Sequence, residues 1–237
     1  MPQSDYDVYV RTEWELFKAD PPRAGFELEA ASGINVRRVL DVGCGAGQMM
    51  APFVEQDGVF GVGIDLSEEV GRAGRELFAT YHPRARIAFG RARAEALPLK
   101  SGSVDLVICR LALPYTDNVR ALGEMARVLR PGGRLLLRIH HWRFYLNEML
   151  SGVSALKPRV VVHDVRVLLA GALYSLTGRQ PRNAFVGTES FQTNRLVRRE
   201  LARYGLAIQR EMPDSTSDTP SYIIEKLLTY PAAGQPS

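Results

Sequence analysis

The chain has 237 residues, 46% of them hydrophobic and 24% charged, with 30 basic against 26 acidic groups and a formal charge of +4. These values describe a globular chain able to bury a core; they exclude collagen, coiled coil and wholesale disorder. The length fits one domain, and so small a charge spread over the whole chain is unlike the concentrated basic patch of a nucleic-acid binder.

Two cysteines, Cys44 and Cys109, are too few for a disulfide scaffold. The amino end has no basic segment leading into an apolar one, and no stretch approaches the roughly 18 uninterrupted apolar residues of a membrane span. The expectation is a cytoplasmic protein whose partner is a small molecule, with no nucleic-acid and no membrane partner.

In chain order, residues 37–42 (RRVLDV) predict a short strand that stops at Gly43, and Gln48 to Val54 can begin a helix. Val59 to Ile64 reads as a buried strand ending at Asp65, and Ser67 can cap a helix running to about Thr80. Strands follow at Arg86–Phe89 and Val104–Cys109. A helix fits Asp117–Arg130, stopped by Pro131-Gly132-Gly133, and a fifth strand fits Arg134–Ile139. Trp142–Leu156 and Val160–Leu176 then look helical, and Thr177 to Arg182 looks like a loop. Helix Asn194–Tyr204 precedes two closing strands, Leu206–Arg210 and Tyr222–Leu228, and the tail Pro231–Ser237 looks dispensable.

Strands alternating with helices imply an α/β fold with a parallel sheet covered on both faces and ligands beyond the strands' carboxyl ends. The whole chain, 1–237, reads as a single domain. Within it, 1–35 form an amino-terminal helical lid, 36–140 a cofactor-binding core, 141–190 a helical cap for the acceptor, and 191–230 a closing helix and strands.

The run Asp41-Val42-Gly43-Cys44-Gly45-Ala46-Gly47 turns sharply and lets a ligand approach its backbone. Its G-x-G-x-G spacing differs from the G-x-G-x-x-G of dinucleotide sites, and no Walker lysine is present. Asp65, at the end of the second strand, is placed to accept from two ribose hydroxyls. A nucleoside fits.

Five blocks carry a resemblance: VLDVGCGAGQ at 39–48, GVGIDLS at 61–67, AEALPL at 94–99, SVDLVICRLAL at 103–113 and ALGEMARVLRPGGRLLL at 121–137. Together they resemble the class I S-adenosylmethionine-dependent methyltransferases, in the branch with quinone-biosynthesis and natural-product small-molecule enzymes. The resemblance covers about residues 37–140. It implies a Rossmann-like, doubly wound, seven-stranded and mostly parallel sheet with the last strand antiparallel, here with a helical cap insertion.

It also implies S-adenosylmethionine as cofactor. Asp41 and the backbone of Gly43 and Gly45 would face its aminocarboxypropyl part, Cys44 and Gly47 of the same loop would also bind the cofactor, and Asp65 would hold its ribose. Leu66 would pack on the adenine, Ala94 and Glu95 would meet the adenine edge, and Arg110 would lie near the transferred methyl. Where the family commonly has Asp, this chain has Arg93, a pure donor. The adenine edge is thus left to Glu95, or to backbone and packing.

Methyl transfer can run on proximity and orientation, with a base needed only when the acceptor must lose a proton. The candidate bases are His140 and His141 after the fifth strand; the alternative is that they are ordinary hydrogen-bonding residues. The N/D-P-P-Y/F/W tetrapeptide of amino methylation is replaced by Arg110-Leu111-Ala112-Leu113, which favours a carbon or oxygen acceptor. No cluster has metal-ligand spacing, and no metal is expected.

Tyr115, Trp142, Arg143 and Tyr145 are the candidate acceptor contacts. Phe144, Tyr174, Phe185 and Phe191, with Arg159, Arg166, Arg179 and Arg182, read either as lining for an aromatic or acyl acceptor or as helix-packing core with a solvated face. Tyr6, Tyr9 and Trp14 read either as a lid over the cofactor or as a cover for the sheet. Two further functional readings stand: a protein that binds S-adenosylmethionine without transferring its methyl, and an NAD-dependent dehydrogenase.

Overall fold

Val39, Leu40 and Val42 of β1 (Arg38–Val42) are buried, as a strand covered on both faces requires. The computed structural model describes residues 3–181 and 189–228. Beside β1 lie β2 (Phe60–Asp65) and β4 (Val104–Arg110), both parallel to it. With β3 (Arg86–Arg91), β5 (Leu129–Arg138), β6 (Leu206–Glu211) and β7 (Ser221–Lys226), the sheet has seven strands in the order β3-β2-β1-β4-β5-β7-β6. Only β7 runs antiparallel to its neighbours, β5 and β6. The strand order reverses between β1 and β4, and a crevice opens there beyond the strand ends.

Helices cover both faces. Helix α1 (Gln3–Lys18) and α2 (Pro21–Ala30) come first, and α3 (Ala51–Val54) follows the glycine loop and a short 3₁₀ turn. Helix α4 (Glu68–Tyr81) is capped by Ser67, whose hydroxyl accepts from the Val70 N–H. Asp117 caps α5 (Asn118–Val128) in the same way, accepting from Arg120 N–H. Two apolar clusters, one on each face of the sheet, make the core.

The stop expected at Pro131-Gly132-Gly133 is not a helix end. Helix α5 gives way to β5 already at Leu129, and residues 130–133 bulge out of the ladder opposite Asp105, between the pairs Val104↔Leu129 and Leu106↔Arg134. Proline lacks an N–H for a ladder bond, and a bulge needs none there. Arg130 closes the bulge by pairing with Asp105 at 2.5 Å.

The cap is an antiparallel pair, α6 (Trp142–Ser154) and α7 (Pro158–Thr177), before α8 (Asn194–Ala202). The loop expected over 177–182 starts one residue later, because Thr177 is still helical and Gly178 caps α7 with φ 72°. Gln180 ties the end of the cap to the core, accepting from Asn118 N–H and donating to Thr116 O. Arg182, Phe185 and the tail Pro231–Ser237 lie outside the described residues. Among the described residues one helix, α7, is long and apolar enough to cross a membrane by length and composition.

Trp14 covers the sheet's outer helix rather than the crevice. Its ring is 1% exposed and meets Phe78 of α4 edge-on at 5.1 Å. The side chains of Tyr6 and Tyr9 lie outside what is described.

Candidate functional site

The ends of β1, β2 and β4, with the segments that follow them, enclose a cavity of about 670 Å³. The glycine loop forms its floor. Gly43 and Cys44 both donate to Ile64 O, at 2.8 and 3.2 Å, which draws the loop against β2. Gly43 has φ 68°, and a Cβ there would stand 2.3 Å from the Ala112 Cβ, so the loop touches the turn after β4 with no room for a side chain. Gly45, at φ 53°, has a different reason to be glycine: a Cβ would meet nothing nearer than Gln48 Oε1 at 4.0 Å. Its Cα faces open cavity, where a ligand can lie on the backbone.

Asp65 ends β2 with one carboxylate oxygen accepting from Gly45 N–H at 3.2 Å and the other from Ser67 N–H at 3.1 Å. Its remaining lone pairs face the cavity it lines. Leu66 beside it is exposed and lines the same space, as do Ala94 and Glu95. Glu95 accepts from Asp117 N–H at 2.8 Å and pairs with Arg93 at 3.2 Å. Desolvation raises its pKa, but the backbone N–H groups and Arg93 outweigh that and leave it lowered. Arg93 therefore neutralises Glu95 instead of facing the ligand alone.

The far end of the cavity is acidic. Asp41 is 2% exposed, its Oδ2 has no hydrogen-bond partner, and burial, then the charges of Glu27 and Asp65, push its pKa up to about 8 against the opposing pull of Arg110. Glu27 comes from α2 and is fully buried, 2.9 Å from Arg110 Nη1. Arg110 also pairs with Asp214, which Arg138 reaches at 3.1 Å. Burial alone would raise the Asp214 pKa, yet Arg110 and Arg138 hold it below the usual carboxylate value. Arg110 thus lines the cavity with its guanidinium committed to acids of the protein.

His140 lies on the cavity wall, 7% exposed. Burial, then Arg138, lowers its pKa to about 4, so it is neutral at physiological pH. Its ring stacks on Phe144 with centroids 4.1 Å apart, and Nδ1 is 3.3 Å from the Tyr145 hydroxyl. That hydroxyl donates to Glu189 at 2.8 Å, so its oxygen is left to accept from His140 Nδ1–H. Nε2 then carries the lone pair. Glu189 is held in turn by His163 of α7 at 3.1 Å, and His163 by Asp164 at 2.9 Å.

Several expected site residues are elsewhere. Gly47 does not line the cavity; it supports the loop against Met50 and Phe89. His141 does not line the cavity; its backbone N–H donates to Asp218 O, where it precedes the first turn of α6. Trp142 and Arg143 lie on the surface, the guanidinium 5.4 Å from the indole centre. Tyr145 stands behind His140 rather than on the wall. Tyr174 and Phe191 are cap core, and the cavity's lining arginines are Arg93, Arg110 and Arg138 rather than those of the cap.

Glu13, Glu27, Arg138 and Asp214 belong to the site or its support without a local motif to mark them. Leu111, also on the wall, has φ 63°, a strained conformation for a leucine. Among the described residues no group of three or more His, Cys, Asp or Glu could hold a metal ion.

Residues 39–133 match the model of a methyltransferase domain. An uncharacterised methyltransferase of Bacillus subtilis is 26% identical over 212 residues, covering 87% of this chain and 75% of that protein. A ubiquinone/menaquinone biosynthesis C-methyltransferase of Pasteurella multocida is 35% identical over 115 residues, 47% of this chain and 43% of its own length. A solved S-adenosylmethionine-dependent methyltransferase of Methanosarcina mazei shares the fold, with a TM-score of 0.56 at 20% identity over 81% of this chain and 93% of that one.

Over residues 39–133 the chain carries a methyltransferase domain, and it resembles the class I S-adenosylmethionine-dependent methyltransferases. It is an enzyme, a methyltransferase, and its cofactor is S-adenosylmethionine. The dehydrogenase reading falls with that assignment. The site suits the cofactor: an open glycine backbone, a carboxylate at the end of β2, and buried acids where the ammonium and sulfonium of a cationic ligand would be compensated.

Proposed function

We propose that this methyltransferase moves a methyl group from S-adenosylmethionine to a carbon or oxygen atom of a small aromatic or acyl acceptor, without a metal. The observation that carries this reading is His140, a neutral, oriented imidazole on the wall of the cavity that the glycine loop floors. When bound, the cofactor supplies an electrophilic methyl on a sulfonium that departs as a neutral thioether.

Asp65 accepts from the ribose hydroxyls, Leu66 packs on the adenine, and Gly45 offers its backbone to the methionine part. Asp41 and Glu27 compensate the cofactor's positive charge. The acceptor lies in the cavity against Tyr115 and His140, whose rings meet edge to face on its wall. Its hydroxyl or activated carbon gives a proton to Nε2 as its electron pair forms the new bond to the methyl, while Tyr145, itself held by Glu189, fixes the ring through Nδ1. The name of the Pasteurella relative gives carbon as its methylated atom, which supports carbon or oxygen over nitrogen here.

The test is transfer from methyl-labelled cofactor to a panel of phenols, quinols and acyl compounds, with His140→Gln beside the parent chain. The expected result is a labelled product, with kcat for His140→Gln reduced by about 10²-fold or more while S-adenosylhomocysteine still binds. Cofactor binding without transfer to any acceptor would support the reading of a binding protein that moves no methyl.

A further inference from the structure

A helix that is apolar all round belongs in a core or in contact with lipid. Helix α7 approaches that composition, with Arg159, Asp164 and Arg166 its only Asp, Glu, Lys or Arg residues, yet only 28% of its most apolar 18-residue window is buried. Its inward face, with Val167, Ala170, Gly171 and Tyr174, packs in the cap. Its outward face is a stripe of Val162, Val165, Leu169, Leu173 and Leu176, at helical spacing and all exposed, Leu176 by 84%. Isolated apolar residues on a surface are ordinary; a stripe four turns long is a binding surface.

The tip of the hairpin extends this stripe. Helix α6 ends in a turn in which Lys157 N–H bonds to Gly152 O and Leu156 N–H to Val153 O, with Leu156 at φ 53°. Glycine is the residue such a turn favours, and a polar one would be better solvated. The chain instead places there a leucine 88% exposed, with Leu150 and Val153 exposed on the preceding turns.

Charge decides what covers this face. Over residues 142–180 the exposed charged side chains are Arg143, Lys157, Arg159 and Arg179 against Glu148 alone. A second copy meets this badly. Pairing the stripes antiparallel about Leu169 sets Arg159 against Arg179, and pairing them parallel sets Arg159 against Arg159. An anionic lipid surface meets both features, taking the leucines into its acyl boundary and the cations among its headgroups.

We infer that the α6–α7 hairpin docks this protein on anionic membrane surfaces, with α7 lying in the plane of the interface. The helix does not cross the bilayer, because His163 and Asp164 at its middle are tied to Glu189 and the cap. The inference stands apart from the choice of acceptor and from the role of His140.

The test is co-sedimentation of the full chain with vesicles of phosphatidylcholine alone and of phosphatidylcholine with phosphatidylglycerol. The expected result is binding to the anionic vesicles, weakened by salt, and little binding to the neutral ones. The double variant Leu156→Glu/Leu169→Glu should lose at least tenfold in partitioning, and Lys157→Glu/Arg159→Glu should lose the preference for anionic lipid. Both should keep the parent affinity for S-adenosylhomocysteine, which shows that they fold. Absence of vesicle binding by a chain that binds S-adenosylhomocysteine would overturn the inference. So would binding that the leucine variant leaves unchanged, or a dimer in solution that Leu169→Glu dissociates, which would assign the stripe to a second copy.

Discussion

Around the glycine loop, backbone meets backbone so closely that Gly43 leaves no space for a methyl group, whereas α7 turns a whole apolar face outward. The first region is specified by what it must exclude. The second is specified by what is still to cover it. The cap's own core is small, built around Tyr145, Val167 and Phe191, and it ties to the rest of the chain through polar contacts such as those of Gln180 with Asn118 and Thr116. The comparison teaches that core and cap are separately stabilised, and substitutions should separate them.

The largest effect should come from Gly43→Ala. The added methyl falls on Ala112 at a positive φ, and overpacking with left-handed strain should lower stability by about 3 kcal/mol and abolish S-adenosylhomocysteine binding. A urea midpoint equal to the parent's would break the picture of a rigid loop. The counterpart in the cap is Gly171→Ala, whose Cβ would lie 2.2 Å from the Phe191 ring. It should cost about 1 to 3 kcal/mol. Protection of α7 amides from hydrogen exchange should fall, with cofactor affinity within about twofold of the parent if the two halves are independent.

Asp65→Ala comes next. Removing the acceptor for two hydroxyls and for Gly45 N–H should weaken cofactor binding by about 1 to 3 kcal/mol, read by calorimetry.

Asp41 gives a pH signature. Its folded pKa near 8 lies above the unfolded value of 3.8, so the folded chain holds a proton that the unfolded chain has lost. Stability contributed by the protonated form is therefore lost as pH rises from about 4 to 8. His140 acts in the opposite sense: its folded pKa of about 4 lies below 6.5, so stability falls as pH drops through that window. Above 6.5 the His140 effect has ended, while that of Asp41 persists beside that of His163, whose pKa, against the pull of burial, Asp164 and Glu189 raise, and denaturation of Asp41→Asn from 6.5 to 8 should be flatter than that of the parent. Binding of the cationic cofactor below pH 8 should release a proton, seen as a dependence of calorimetric heat on buffer ionisation.

The smallest effect should be that of Tyr145→Phe. It removes the partner of His140 Nδ1 and should cost about 1 kcal/mol in kcat/KM, with a displaced pH profile and unchanged cofactor affinity.

The glycine loop, Asp65 and the strands were legible because each follows from a short segment: a buried strand, a sharp turn, an acid at the next strand's end. Glu27, Arg138 and Asp214 were not, because their roles arise only when distant segments meet at Arg110. Strain at Leu111 leaves no mark in composition. The cap misled for another reason. The sequence of α6 does not reveal which face turns inward, so Tyr145, read as an acceptor contact, packs behind His140, Trp142 lies on the surface, and His141 missed the cavity while His140 met it.

The cluster around Arg110 also sets a timetable for synthesis. Glu27 leaves the ribosome early, Arg110 midway and Asp214 near the end, so the guanidinium waits for its second carboxylate until the β6–β7 segment has emerged. A nascent chain that has already threaded its glycine loop still lacks a balanced pocket. The pocket's charges balance only when the β6–β7 hairpin closes, and premature termination before it should yield a chain whose Arg110 has Glu27 without its second carboxylate.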